Sequence, residues 1–353
     1  MQVTFIAIST PEEKFWGSII SMAQAAADDL DIDLEILYAE RNHIEAVELA
    51  REVSNRVEKP DYLIVVGEKR IGGKSLALAQ KAGIDTMLFG DLTEGEKRQF
   101  GRPRQQFSHW IGSRSVDDFC LGREAALAII SRGFRQEMTD NEGFLNLIAL
   151  AGVEATVFGD RRVRGLLDAL QDDRKTRLLQ VVPTDLTEED GYRITKGLYH
   201  RYETRFGKKI GAIWAANSQL ALGSIRATRE MGLAAGEDFV VSGIGWEPEA
   251  LEGIAAGDLL TVNGGHFADL AWILVMLYDY HHGIDFIDDD SSGGSYSLNR
   301  ENLDAYLQLF GSGDWQQIDF TRFSKVLSPE INVYNLNFDG IMAQFAEGSK
   351  ILY

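Results

Sequence analysis

The feature that most constrains the fold is a regular alternation of short apolar runs with segments whose apolar residues recur at helical spacing. The run VTFIAI (3–8) is too continuously apolar for a half-solvated strand and is typical of the buried centre of a parallel sheet. Strand-like runs follow at 31–39, 60–66 and 84–91, and helical segments separate them at 44–57 and 75–83. This βαβαβαβ series predicts a doubly wound parallel sheet with right-handed crossovers.

The same alternation restarts in the second half of the chain. Apolar runs at 146–152, 177–182, 210–216 and 238–245 alternate with helical segments. With 353 residues, the chain also exceeds the roughly 250–300 residues beyond which a single core stops growing. We therefore predict an α/β fold of two doubly wound parallel-sheet lobes.

The chain is expected to cross between these lobes several times. A strand, the pair Gly264-Gly265 and an apolar helix follow one another in 259–283, which suits a backbone passing from one lobe to the other. Crossings are predicted near 113–123, 260–265 and 295–300. The expected first lobe comprises residues 1–118 and 265–297, and the expected second lobe comprises residues 119–264 and 298–353.

Composition argues against several kinds of partner. The chain carries 35 Lys and Arg against 54 Asp and Glu, and its formal net charge of -19 repels the phosphate backbone of nucleic acid. The single cysteine, Cys120, can form neither an internal disulfide nor a metal cluster. The longest apolar run, 270–278, is shorter than the roughly 18–20 residues that span a bilayer. A strand directly after Met1 leaves two locations open, the cytoplasm or an exported protein whose signal peptide was removed.

Sequence motifs for catalysis, cofactors and metals are missing. The loop GEKRIGGKS (67–75) resembles a P-loop, but five residues separate Gly67 from Gly73 where the motif needs four. No G-x-G-x-x-G follows the first strand, no G-x-S-x-G is present, and the histidines show no H-E-x-x-H spacing. The acidic run 285–290 lacks the order of a calcium loop, so this run and the polar stretch 92–107 are predicted to be loops. We therefore expect a protein that is not an enzyme and that holds no cofactor or metal.

Polar and aromatic residues collect where the predicted strands end. Because ligands of open α/β sheets bind beyond the carboxyl ends of the strands, these residues are candidates for a binding site. Aromatic rings cover the apolar faces of a sugar or polyol, while carboxylates, amides and a guanidinium bond its hydroxyls. The candidates are Phe15, Trp16, Asp91, Asn217, Trp246 and Asn263, with Arg162 near the start of a helix.

Each candidate also has a purely structural interpretation. Phe15 and Trp16 suit core packing of a first helical turn, although adjacent helix positions point about 100° apart and both rings cannot face one core. Asp91 and Asn217 are typical of residues that cap the next segment. Arg162 is close in sequence to Asp160, with which it would form a surface pair, and packing alone would account for Trp246.

These residues resemble those of the type I periplasmic solute-binding proteins, in the sugar-binding branch and the related autoinducer-2 receptor. The resemblance covers roughly residues 3–283. The first turn, Glu13-Lys14-Phe15-Trp16, is similar to the family's Asn-Pro-Phe-Phe, and Asp91 in MLFGD resembles its strand-end acid. Arg162 in RRVRGLL resembles the family's ligand arginine, NSQLALG (217–223) resembles its Asn-Asp-x-x-Ala-x-Gly, and 242–262 resembles the stretch before its last crossover.

Several positions depart from the family pattern. Glu13 stands in place of the asparagine of the first turn, and Ser218 in place of the acid that follows the later asparagine. Gly245, followed by Trp246, stands for the acid of a Gly-Phe-Asp-Gly turn, and Gly264 for the crossover Gln or Arg. The loss of two acids predicts a ligand with fewer hydroxyls or more apolar surface than a simple pentose, and weak binding of free ribose.

The resemblance implies the type I periplasmic binding protein fold and a monomer in the periplasm, with its signal peptide removed. Such a protein closes by hinge motion over a small sugar-like ligand and presents it to the permease of an ABC importer. Its ligand-binding residues would be Glu13, Phe15, Trp16, Asp91, Arg162, Asn217, Ser218, Trp246 and Asn263.

Two other functional classes share this fold. A co-receptor with the same lobes would dock on a membrane sensor kinase or cyclase, and the long tail beyond residue 300 favours it slightly. A repressor of the same fold is disfavoured, because no helix-turn-helix precedes Val3 and the net charge is wrong for DNA.

Overall fold

The structure is a computed structural model that describes residues 1–68, 70–153, 156–171, 173–286, 292–293 and 295–349; the side chains of residues 14, 15, 292, 293 and 346–349 lie outside this description. Up to Val116 the chain forms β1 (Gln2–Ala7), α1 (Lys14–Asp29), β2 (Asp33–Tyr38), α2 (His43–Asn55), β3 (Tyr62–Gly67), α3 (Gly72–Ala82), β4 (Asp85–Gly90), α4 (Glu94–Phe100) and β5 (Trp110–Val116).

The second series of elements begins at Asp118. It comprises α5 (Asp118–Arg135), β6 (Leu145–Leu150), α6 (Val157–Leu170), β7 (Thr176–Val182), α7 (Glu188–Tyr199) with a π-helical extension His200–Arg205, β8 (Ala212–Ala215), α8 (Ser218–Glu230), β9 (Val240–Ile244), α9 (Pro248–Ala256) and β10 (Thr261–Gly264). The remainder contains α10 (Asp269–His281), β11 (Ser292–Gly293), β12 (Tyr296–Leu298), α11 (Leu303–Phe310) and α12 (Phe338–Ser349), with 3-10 turns at His266–Ala268 and Phe320–Phe323.

The chain divides into two compact units. The first comprises Met1–Val116, His266–Gly294 and Gly313–Tyr353, and the second comprises Asp117–Gly265 and Ser295–Ser312. The first three crossings fall within or next to the stretches expected from the sequence. A fourth crossing, between Ser312 and Gly313, was not predicted.

The first unit contains a six-stranded sheet in the order β11-β5-β4-β3-β1-β2, and every neighbouring pair runs parallel. Phe5, Leu63 and Ile64, at the centre of β1 and β3, are fully buried. This agrees with the continuous apolar runs of their sequences, because helices cover both faces of a parallel sheet.

The second unit contains a sheet in the order β12-β10-β9-β8-β6-β7. Its pairs are parallel except for β10 with β12, where the returning chain adds an antiparallel edge strand. Leu147, Ile213 and Val262 are fully buried in three of these strands. The predicted fold class, two α/β lobes with doubly wound parallel sheets, is confirmed.

The tail beyond Ser312 packs on the first unit, whereas the sequence-based division placed it in the second. Helix α10 is buried almost throughout, from Leu270 to Leu277, so it must be covered on more than one side. Trp272 of this helix packs on Phe320 and Phe323 of the tail, with ring centroids 5.7 and 4.8 Å apart. The tail therefore completes the core of the first unit.

One of the two predicted loops differs from expectation. The stretch 92–107 contains α4, whose start is stabilised by a capping box in which the Thr93 and Glu96 side chains bond each other's backbone amides. In the acidic run, Asp285 forms a two-pronged ion pair with Arg104 at 2.5 and 2.8 Å, while residues 287–290 lie outside the described residues. Among the helices described, none is both long and apolar enough to cross a membrane.

Candidate ligand-binding site

In the first unit, the turn after β1 is organised around Glu13, the N-cap residue of α1. Its carboxylate accepts hydrogen bonds from the Thr10 amide at 3.1 Å and from Arg41 Nε at 2.8 Å. Partial burial raises the pKa of Glu13, but the bonds from Arg41 and Thr10 outweigh it, so this pKa lies below its ordinary value. The carboxylate is therefore ionised and already paired within its own unit.

Trp16 packs in the first unit's core. Its ring is 7% exposed, stacks on Phe5 with centroids 6.4 Å apart, and meets Phe89 edge-on at 5.9 Å. This favours the structural interpretation of Trp16, with only a small part of the ring open to solvent. The side chain of Phe15 lies outside the described residues, so its predicted role stays a prediction.

Asp91 follows β4 directly and forms an ion pair with α4. Its Oδ2 lies 2.6 Å from Lys97 Nζ, and its Oδ1 accepts a hydrogen bond from the Leu92 amide at 2.8 Å. The N-cap of α4 is Thr93, so Asp91 is not the helix cap considered from the sequence. A ligand hydroxyl at this strand end would share the carboxylate with Lys97.

Two polar atoms in the first unit were missed by sequence reasoning. Ser9 Oγ, just after β1, and His43 Nε2, in the first turn of α2, are buried and have no hydrogen-bond partner among the described residues; Glu68 Oε1 lies 3.7 Å from His43 Nε2, beyond hydrogen-bond distance. Both lie between the end of a strand and the start of the following helix or in its first turn. The candidate residues were predicted from the same kind of position. Buried donors and acceptors of this kind are costly unless something bonds them, so they join the candidate list.

In the second unit, Arg162 of α6 holds two elements together. Arg162 as a whole residue is 8% exposed. Its Nε donates to Asp118 Oδ1 at 2.8 Å, and its Nη1 donates to the Ala216 carbonyl at 2.8 Å. The surface pair with Asp160 considered from the sequence is not the arrangement observed. Arg162 thus ties the start of α5 to the residue that follows β8.

Asn217 and Ser218 begin α8, and the structure separates their roles. Asn217 caps the helix by accepting from the Leu220 amide at 2.9 Å, and its Nδ2 donates to the Leu186 carbonyl at 2.8 Å. Ser218 is fully buried, and its hydroxyl donates to Glu247 Oε2. Sequence reasoning missed Glu247, which is the N-cap residue of α9 and stands next to Trp246.

Trp246 is half-buried at the carboxyl end of β9. Its Nε1 donates to the Val262 carbonyl at 3.2 Å, and its ring meets Tyr296 and Tyr306 edge-on with centroids 5.9 and 5.2 Å apart. Gly264 lies against this ring, because a Cβ at Gly264 would stand 2.5 Å from Trp246 Nε1. The absence of a side chain at position 264, noted as a departure from the family pattern, therefore makes room for the indole.

Asn263 of β10 is fully buried in a polar cluster. Its Nδ2 lies 2.5 Å from Ser297 Oγ and 3.3 Å from Glu124 Oε2, while Oδ1 has no hydrogen-bond partner among the described residues. Cys120 Sγ lies 3.6 Å from Glu124 Oε1. Burial, reinforced by the charges of Glu124 and Asp117, raises the pKa of Cys120 to about 11, so this thiol stays protonated.

The strand ends of the second unit are thus rich in carboxylates. Strands β8, β9 and β10 are neighbours in the sheet, so the residues that follow them lie at one edge. Glu247 bonds Ser218 and Glu124 bonds Asn263, so acids stand at this edge that the comparison of motifs did not indicate. The expected preference for a ligand with fewer hydroxyls, and the expected weak binding of free ribose, stay predictions.

A cavity of about 370 Å³ opens farther along the same edge, at the ends of β6 and β7. Gly152, Val153, Asp160, Arg164 and Pro183 are among the residues that line it. In the described part of the chain, no three His, Cys, Asp or Glu side chains form a group that could hold a metal ion.

The family model and the solved structures that this chain resembles agree with one another. The family model of the periplasmic binding protein domain matches residues 3–281. A periplasmic sugar-binding protein from Pseudomonas fluorescens matches with a TM-score of 0.81 and 29% identity, over 97% of this chain and 99% of that one. None of the proteins of curated function matches the chain.

Two more distant structures share the fold. A solute-binding protein of an ABC transporter from Actinobacillus succinogenes 130z, with bound D-allose, has a TM-score of 0.70 and 20% identity over 86% of this chain and 99% of that one. The periplasmic component of the arabinose ABC transporter from Shewanella sp. ANA-3, bound to L-arabinofuranose, has a TM-score of 0.67 and 17% identity over 90% and 98%.

Proposed function

Because the chain belongs to the periplasmic binding protein family, we propose that it is a periplasmic solute-binding protein that binds a small sugar-like ligand and presents it to an ABC importer. The similar proteins from Pseudomonas fluorescens and Shewanella sp. ANA-3 support a sugar as the class of ligand. The proposed function is binding and delivery of the ligand, without a reaction that changes it. The proposal includes closure by hinge motion, because a ligand that binds a closed state more tightly than an open one shifts the population towards the closed state.

The observation that carries this proposal is the cluster that ends β8, β9 and β10. It comprises Trp246, which packs on Tyr306, the Ser218–Glu247 pair and the pair of Glu124 with the buried amide of Asn263. An aromatic face beside carboxylate and amide groups matches the alternation of C–H faces and hydroxyls on a sugar ring. Asn263 Oδ1, which is buried and has no hydrogen-bond partner among the described residues, is suited to accept a hydrogen bond from a ligand hydroxyl.

The length of the tail was a slight argument for a sensory co-receptor. In the structure, the tail beyond Ser312 packs on the first unit. Phe320 and Phe323 lie against Trp272, so these tail residues serve the core. Transport is therefore the function proposed.

The first test is a thermal-shift screen followed by calorimetry. The panel comprises D-allose, L-arabinose, D-ribose and myo-inositol, and a ligand at 100 times its Kd is expected to stabilise the native state by about 2.7 kcal/mol. At least one member should bind with 1:1 stoichiometry. A well-folded protein that binds no sugar or polyol of a wider panel would contradict the proposal.

The site is tested by Glu247→Gln, with Glu252→Gln as its control. Glu252 is an exposed residue of the same helix, α9. Because hydrogen bonds to charged groups contribute about 1.5–3 kcal/mol, the Glu247 variant is expected to lose about tenfold or more in affinity for the sugar identified. The Glu252 variant should bind as the parent does. Equal affinity in all three proteins would show that the ligand does not use this cluster.

A further inference from the structure

The second unit has another cavity, of about 590 Å³, at the opposite edge of its sheet. Its lining includes Val240, the first residue of β9, and Leu259, Leu260 and Thr261 at the start of β10. The last two turns of α5 and the stretch around Arg300 form its other walls. The volume lies within the roughly 300–1,000 Å³ typical of small-molecule pockets.

Three arginines are among the residues that line this cavity, Arg132, Arg135 and Arg300. Among the residues that the structure describes, no carboxylate lies within salt-bridge distance of them. Of the two acids in the lining, Asp258 is paired with Arg229 at 2.8 Å, which leaves Glu301 as the other negative group. A local excess of positive charge in a chain of net charge -19 is unexpected for a merely solvated face.

Helix ends explain part of this arrangement. Arg132 and Arg135 lie in the last turn of α5, and Arg300 lies over Gly257, which ends α9. Cations are favourable at both places because backbone carbonyls point there. Helix dipoles do not require, however, that the three side chains surround one cavity.

Two glycines of the lining, Gly236 and Gly257, stand where a side chain would be strained. Gly236 and Gly257 have φ of 83° and 88°, which favours glycine. A Cβ at Gly236 would stand 3.0 Å from the Gly257 carbonyl oxygen, and one at Gly257 would stand 3.2 Å from Arg300 Nη1. Ala128, Val241 and Leu259 add an apolar wall beside this polar rim.

We propose that this cavity binds a small organic anion. Its carboxylate or phosphate group lies on the guanidiniums of Arg132, Arg135 and Arg300, whose planar N–H forks match two oxygens of either group. Its apolar part lies on Ala128, Val241 and Leu259. The site is separate from the strand ends assigned to the sugar and does not depend on the function proposed there.

Calorimetry with phenyl phosphate on the full chain at low ionic strength tests the proposal, and a 1:1 complex is expected. The double variant R132Q/R300Q should bind at least about tenfold more weakly. R193Q, which alters an exposed arginine of α7 that is paired with Asp190 and absent from the lining, should bind as the parent does. Raising the salt concentration should weaken binding by the parent, because it screens the guanidiniums.

A second variant keeps the test decisive if the double variant is unstable. Ala128→Phe fills the cavity without changing its charge and is expected to abolish binding. Inorganic phosphate should bind about tenfold more weakly than phenyl phosphate, since it lacks an apolar part. Absence of phenyl phosphate binding by the parent, equal binding in R132Q/R300Q and R193Q, or full binding by folded Ala128→Phe would each overturn the proposal.

Discussion

At the scale of single residues, Glu35 shows how one carboxylate connects three elements of the first unit. This β2 residue accepts hydrogen bonds from Arg56 Nη1 at 2.6 Å and Nη2 at 3.1 Å, and from Thr4 Oγ1 at 2.8 Å. The bonds from Arg56 hold the pKa of Glu35 below its ordinary value, against the opposing effect of partial burial. Strand β2 is the edge strand of its sheet, so these bonds fasten an element that has one strand neighbour.

Stability should depend on pH through this carboxylate. Because its folded pKa is depressed below the ordinary 4.5, the contribution is fully present above that value and is lost as the pH falls through the folded pKa. Glu35→Gln should lower the free energy of unfolding at neutral pH by less than about 1 kcal/mol, since the pair is partly exposed. Urea titrations at a series of pH values should show this difference shrinking towards zero in acid. Glu58→Gln, at an exposed position, is the control and should show no such pH-dependent difference.

At the scale of elements, glycines allow two pairs of helices in the second unit to pack closely. A Cβ at Gly122 of α5 would stand 2.1 Å from the Arg162 carbonyl oxygen, and one at Gly165 of α6 would stand 2.0 Å from that of Phe119. The pair α7 and α8 repeats the arrangement, with Gly191 against Leu220 and Gly223 against Glu188. Each pair is therefore packed backbone to backbone, which also fixes Arg162 and the start of α8 at the candidate site.

Gly165→Ala is expected to destabilise the protein by about 1–3 kcal/mol, because the added methyl group forces the two helices apart. Gly197→Ala is the matched control, since a Cβ at this position in α7 would meet nothing within 4 Å. There the substitution should stabilise by roughly 0.5–1 kcal/mol through the helix propensity of alanine. Urea unfolding monitored by circular dichroism compares the two. The same sign of change in both variants would contradict the close packing of α5 on α6.

At the scale of the whole molecule, the tail decides how the first unit is completed. Asp279 of α10 is fully buried and accepts bonds from Ser324 Oγ, from the Lys325 amide at 2.7 Å and from Tyr334 Oη at 2.7 Å. Arg114, also buried, donates to the Leu336 carbonyl at 2.5 Å and to Asp269 at 2.8 Å. The chain thus returns from the second unit to close the core of the first.

Phe320→Ala should therefore destabilise the first unit strongly. The ring is fully buried against Trp272, and the loss of such a core aromatic costs about 3–5 kcal/mol. Leu327→Ala is the control, because Leu327 belongs to the same tail but is 43% exposed, and it should change stability by less than about 0.5 kcal/mol. Calorimetric unfolding of the full chain measures both. A Phe320 variant as stable as the Leu327 variant would show that the tail is not part of the core.

The alternation of apolar runs and helical segments was sufficient to predict two doubly wound α/β lobes, because a parallel sheet needs strands that are apolar on both faces. It also located the strand ends at which candidate residues were sought. Burial of Trp16 and capping by Asn217 were among the alternatives that local sequence left open, since periodicity indicates a face but not the side chains that share it.

Tertiary structure alone decided the contacts between residues far apart in the chain. Glu124 meets Asn263 across 139 positions, and the tail meets α10 only after the chain has crossed back to the first unit. A sequence records that α10 is apolar on all sides, but the segment that covers it is chosen by the summed packing of the folded chain. The same reason explains why Glu247, an ordinary acid at a helix start, was recognised as Ser218's partner only from their positions in space.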